Sequence, residues 1–141
     1  MKNLNFKIVS VFFVFVLLVG FTGCKKDATS TSRKELLTSH NWKMSSVKVN
    51  GVALAMDDCS KDDFLVFASN GTYTANPGAI LCYDDDTILS GTWSLSSDEK
   101  SLTVNLGGDT TILTIKELTD SKIVVTETED AIVYEETFIP V

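Results

Sequence analysis

Histidine occurs once in this chain, at His40, among two prolines and three cysteines. One imidazole cannot complete a zinc site, and Cys24 is expected to be consumed by covalent modification at the mature N-terminus, so neither a metal nor any other cofactor is expected. No Gly-x-Ser-x-Gly elbow and no glycine-rich phosphate loop accompanies His40, so Ser/His/Asp hydrolysis and nucleotide chemistry lack their usual framework and no catalytic residue is assigned. Basic residues are also scarce. Without residues 1 to 23, the 12 Lys and Arg fall to 10 against 19 Asp and Glu, a net charge of about −9. Such a surface repels phosphate backbones, and no Lys/Arg stripe interleaved with aromatics offsets it, which excludes a nucleic-acid partner. Helical periodicity is missing between residues 41 and 139, and proline is nearly absent there, so the domain reads as strands.

One long apolar run exists, Ile8 to Val19, behind Lys2 and Lys7. Its twelve residues suit a signal peptide and fall short of the roughly 18 to 20 that a spanning helix needs. Phe21-Thr22-Gly23-Cys24 resembles the lipobox of bacterial lipoproteins, with Phe21 where the usual pattern has Leu. The resemblance implies removal of residues 1–23 and lipidation of Cys24, and more than one acyl chain gives a stable membrane anchor. Lys25-Lys26-Asp27 partly matches the charged surface-export signal of Bacteroidota lipoproteins. The expected location is therefore the cell envelope, as an outer-membrane lipoprotein on its periplasmic face or at the cell surface. Residues 24–32, ending in the polar stretch DATSTS, read as a flexible tether.

Residues 33–141 form the domain. Ser32 is a candidate N-cap for a short helix from Arg33 to Thr38. The chain is then organised around Asn70-Gly71, a strong hairpin signal between FLVFAS and TYTAN. In an unbulged two-residue hairpin, facing residues here have numbers adding to 141, and Cys59 and Cys82 satisfy that condition. A disulfide between them would clamp the open end of the hairpin in an oxidising compartment. Further runs at 41–49, 89–95, 102–106, 110–118, 122–129 and 132–139 make eight strands joined by short turns, with a register shift expected near Ser45-Ser46 and a short apolar run at 52–56. The expectation is an all-β, eight-stranded antiparallel up-and-down barrel with a short N-terminal helix, and a flattened sandwich is the alternative.

Asn41-Trp42-Lys43 with Val47, the stretch FLVFASNGTY and the strand GTWSL together resemble the lipocalin-like domain lipoproteins of the Bacteroidota, over Glu35 to Val125. The resemblance implies a lipoprotein signal ahead of a small barrel, and it transfers no catalytic residue.

Trp42, Phe67, Tyr73, Trp93, Tyr134 and Phe138 are the bulky candidates for the interior. An eight-stranded barrel is just wide enough to be packed by side chains or to hold one small ligand. These six favour a mostly filled interior with a shallow mouth at most. Any small apolar ligand is expected to enter at the disulfide end, past Trp42, Phe67, Tyr73 and Trp93. Asp57, Asp58, Asp62, Asp63 and Asp84 to Asp86 gather at that rim, where they favour neutral or cationic compounds over anionic ones. Their spacing matches no EF-hand, and they read as a solvated rim rather than a calcium site. The alternative function is a packed barrel serving as a surface protein-interaction or structural module. The lipobox generates the first test: mass spectrometry of the mature protein should find an acylated Cys24 at the N-terminus, and an unmodified Cys24 or a retained leader would refute the anchor.

Overall fold

Short turns between apolar runs force antiparallel neighbours, and a computed structural model describing residues 31–141 contains nine strands and two short helices among them. The expected signal segment, Cys24 and the tether up to residue 30 lie outside the described residues. In chain order the elements are α1 (Arg33–Thr38), β1 (Asn41–Val49), β2 (Val52–Leu54), α2 (Asp58–Asp62), β3 (Phe64–Phe67) and β4 (Thr72–Asn76). They continue with β5 (Leu89–Leu95), β6 (Ser101–Leu106), β7 (Asp109–Thr119), β8 (Lys122–Glu129) and β9 (Ile132–Pro140).

Strands β3 to β9 pair in sequence order, while β1 pairs with β3 along one edge and with β9 along the other. That last pairing closes the sheet, so β1 and β3–β9 form the expected eight-stranded barrel and the sandwich is excluded. The short apolar run after Val49 is an added strand. Asn50 and Gly51 have φ of 51° and 81°, the two-residue turn with both centres left-handed, and β2 folds back through it onto the far half of β1. Two bulges bend the wall. One falls between Met44 and Ser46, where the sequence predicts it, and the Ser45 hydroxyl donates to the Thr137 carbonyl at 3.1 Å. The other falls between Ile115 and Glu117.

The central hairpin differs from expectation by one residue. Phe67 faces Tyr73 and Phe64 faces Asn76, so facing numbers add to 140 rather than 141. The Gly71 amide donates to the Ala68 carbonyl at 2.9 Å, and Gly71 alone takes a positive φ, 88°. This is a type I turn closed by a glycine bulge, a three-residue loop in which Asn70 keeps ordinary backbone angles and its side chain accepts from the Thr72 amide. Pairing ends at Phe64–Asn76, so Cys59 and Cys82 are not cross-strand partners. They are nevertheless bonded, Cα atoms 5.3 Å apart, because α2 carries Cys59 over the loop that holds Cys82. The bridge joins two connections instead of two strands.

At the opposite end α1 closes the barrel. Ser32 and Glu35 form a reciprocal capping box, and Leu37 and Trp42 are both fully buried. The Trp42 indole N–H donates to the Leu37 carbonyl at 2.9 Å, which fixes the helix to the start of β1. Arg33 donates to the Glu99 carbonyl at 2.8 Å, and His40 pairs with Asp120 at 3.0 Å, so the sole histidine fastens this end.

Two substitutions test the backbone in opposite directions. A Cβ on Gly91 would collide with the Asn105 carbonyl oxygen, so Gly91→Ala must push β5 from β6 and should destabilise the domain by about 1–3 kcal/mol. Ala131 sits at φ 66° in the β8–β9 turn, where an L side chain is strained, so Ala131→Gly should stabilise by up to ~1 kcal/mol. Urea denaturation of both variants reads the two signs.

Candidate functional site

Inward-facing residues change in size along the barrel axis. Toward α1 the interior is filled by Trp42, Phe67, Trp93, Leu102, Ile123 and Phe138, all buried. The ring of Phe67 packs on Tyr73 with centroids 5.2 Å apart and edge-on against Trp93 at 5.6 Å. Toward the disulfide end the inward positions of neighbouring strands are Ala75, Gly91, Thr111, Glu127 and Glu136, most of them small or polar. That half does not fill. A cavity of about 330 Å³ opens there, large enough for a small organic ligand.

The cavity floor is Phe67, Leu102, Ile123, Val125 and Phe138, and its apolar wall is Leu65, Val104, Leu106 and Leu113. Tyr73, Asp109, Thr111, Glu127 and Glu136 supply the polar groups. A second recess of about 340 Å³ lies under Ser60 and Asp63 at α2 and shares Leu65, Tyr73, Glu136 and Phe138 with the first. Tyr73 and Glu136 therefore stand between the two. The interior reaches the disulfide end on this side.

Its electrostatics follow from burial without counter-ions. No lining residue of the main cavity is basic, while Asp109, Glu127 and Glu136 are acidic. Glu136 faces Val125 across the β8–β9 ladder, which makes Glu127 its diagonal neighbour on the inner face. Burial first, and the Glu127 charge second, raise the Glu136 carboxyl above the ordinary glutamate range. Burial and the Glu136 charge push the Tyr73 phenol up to about 12. Neither Glu136 nor Tyr73 has a side-chain hydrogen bond to another described residue, and Tyr73 is 7% exposed.

Sequence expectation and structure overlap in part. Phe67 and Tyr73 line the cavity. Trp42 and Trp93 do not: Trp42 is sealed behind α1, and the Trp93 indole donates to the Ala68 carbonyl at 3.0 Å in the filled half. The mostly filled interior is likewise corrected to a half-filled one. Glu127 and Glu136 were missed, although each continues an alternation of inward positions, Ile123-Val125-Glu127 and Glu136-Phe138.

Three of the seven rim aspartates bond to a nearby backbone amide or lysine. The Asp62 carboxylate accepts from the amides of Ala79 and Ile80, Asp58 pairs with Lys61 at 2.9 Å, and Asp86 accepts from the Tyr83 amide at 2.8 Å. The amide donors hold the Asp62 carboxyl below its usual range, whereas burial, with Asp86 and Asp62 nearby, raises Asp63. Acids of α2 and of the 77–87 loop thus do approach each other. Among the described residues no group of three or more His, Cys, Asp or Glu is placed to hold a metal ion.

A closed eight-stranded meander, plugged by a helix at one end and hollow at the other, has the architecture of a lipocalin-like barrel. The sequence profile of the lipocalin-like domain matches residues 39–125. This chain belongs to the lipocalin-like domain family. It is similar to a crystal structure of a lipocalin-like protein from Bacteroides uniformis, at 15% identity and a TM-score of 0.55 over 74% of this chain and 99% of that one. An uncharacterized protein from Bacteroides eggerthii is similar at 14% identity and a TM-score of 0.49, over 72% of this chain and 98% of that one. No curated protein matches the sequence. The match indicates no enzymatic family, in keeping with a fold that typically binds.

The raised Glu136 carboxyl of this lipocalin-like domain makes a signed prediction. A carboxyl whose folded-state pKa lies above its unfolded value favours the fold below the unfolded pKa, and that contribution is lost as pH rises through the folded pKa. Glu136→Gln should therefore raise the melting temperature at neutral pH, and its advantage over the parent should vanish below the ordinary glutamate range. Thermal melts of both proteins across that pH range check the crossover.

Proposed function

We propose that this protein is an envelope-anchored lipoprotein whose lipocalin-like domain binds a small apolar molecule in the hollow half of its barrel. The observation that carries the reading is the cavity of about 330 Å³, with an apolar floor and wall and a few converging polar groups. At roughly 30 Å³ per water-sized group, such a volume accommodates about ten non-hydrogen atoms. The ligand rests against Phe67, Leu102, Ile123 and Phe138 and enters from the disulfide end, where α2 and the 77–87 loop form the rim. Anchoring is supported by the twelve-residue apolar run and by Cys24 after Phe21-Thr22-Gly23. It places the barrel at an envelope membrane, where apolar compounds concentrate.

The barrel as a packed interaction module lacks its premise, since the interior is only half filled. Calorimetric titration with octanol, whose nine heavy atoms suit the volume, tests the binding reading. One saturable site is expected, and Thr111→Trp, which places an indole in the cavity, should weaken binding at least tenfold without lowering the melting temperature. Absence of binding by the parent protein would reject the ligand site.

A further inference from the structure

The cavity holds more acid than a purely apolar ligand can use. Glu127 and Glu136 are diagonal neighbours on the inner wall, Asp109 stands at the same end, and no basic side chain lines the space. Tyr73 adds an independent observation: the residue is only 7% exposed, it lines the cavity, and its hydroxyl has no partner among the described residues. No fully buried side-chain oxygen among the described residues lacks a partner, so this hydroxyl is open to the cavity space. Here the oxygen is left for whatever occupies the cavity.

We propose that the ligand is an organic cation, a primary ammonium on an apolar chain, with the ammonium among the Glu136 and Glu127 carboxylates and the Tyr73 hydroxyl oxygen. This rests on reading the cavity as a ligand site. An ammonium has three N–H donors and no acceptor, which complements two carboxylates and a phenol oxygen. Its charge lowers the energy of two acids held close together away from water, and charge-assisted hydrogen bonds are about twice as strong as neutral ones. The aromatic side chains of Phe67, Tyr73 and Phe138 border the same volume, and rings of this kind attract a cation that meets their faces. A carboxylate ligand meets the opposite situation. It would bring a fourth negative charge into a space already lined by three acids. Protonation of Glu136 would relieve only one of them.

A matched series of octylamine, octanol and octanoate, titrated calorimetrically at neutral pH and low ionic strength, isolates the charge at constant chain length. The amine should bind at least tenfold more tightly than the alcohol, and the carboxylate more weakly than either. In the Glu136→Gln/Glu127→Gln double variant the amine should lose its advantage and bind no more tightly than octanol binds to that same variant. The parent ranking stands independently of how well the variant folds. Equal binding of amine and alcohol, tighter binding of octanoate, or an amine preference that survives the double variant would overturn the cation assignment and leave the cavity reading intact. Failure of all three compounds to bind the parent protein would overturn both.

Discussion

Pairing of the first strand with the last is the constraint on which the structure depends. A meander of short strands leaves two open edges, each a row of backbone N–H and C=O groups without partners. The β1–β9 ladder, running from Trp42–Pro140 to Val49–Tyr134, removes both at once. Closure demands curvature, and the bulges at Ser45 and Lys116 supply it. Once the wall is closed, every second residue of eight strands points into one narrow space. What those residues are then decides whether the space is core or cavity.

Size and polarity are segregated along the axis, and each half has its own means of closure. Around α1, three ties converge: the capping box, the Trp42–Leu37 hydrogen bond and the Arg33–Glu99 contact. Aromatic rings fill the space behind them, so this half carries the hydrophobic stabilisation of the domain. The other half is held from outside. The Cys59–Cys82 bridge and the Asp62 carboxylate bind α2 to the 77–87 loop, and a Cβ at Gly78 would collide with Asp62. Because these ties join connections and leave the inner wall untouched, the rim keeps its shape without side chains being driven inward. An open half is compatible with stability only in that arrangement.

Much of this was legible in the residues. Leu102, Val104 and Leu106 alternate against Thr103 and Asn105, and such runs place the strands, while short turns dictate antiparallel neighbours and the count of eight suggests closure. The failures share a physical origin. A one-residue bulge at Gly71 shifts the central hairpin register, and the turn signal Asn-Gly serves both the two-residue turn at Asn50-Gly51 and the bulged turn at Asn70-Gly71. The cysteine pairing was anticipated correctly from a register that does not exist, because α2 restores the proximity that the broken ladder would have lost. Trp42 and Trp93 were assigned to the ligand because bulky inward residues signal an interior and carry no information about which end of it they occupy. Distance from the helix along the barrel axis depends on strand stagger, which alternation does not encode.

The two interior glutamates were hidden by a different effect. On the outer wall Glu135 is the ordinary polar member of an alternating strand, and Glu127 and Glu136 look no different until the phase of each strand is tied to its apolar neighbours. Val125 links the two: it is buried, it faces Glu136 directly, and its own phase puts Glu127 on the same inner surface. A valine or leucine at either position would fit the alternation, extend the core and avoid the desolvation of a carboxylate. Glutamate does the reverse, leaving the disulfide-end half of the barrel unfilled, and at Glu136 burial raises the energy of the ionised form. An acid so placed weakens the empty fold and strengthens the filled one, because an occupant with complementary charge recovers what burial removes. Cavity and charge therefore follow from the same two residues, and the architecture of the hollow half follows from tolerating them.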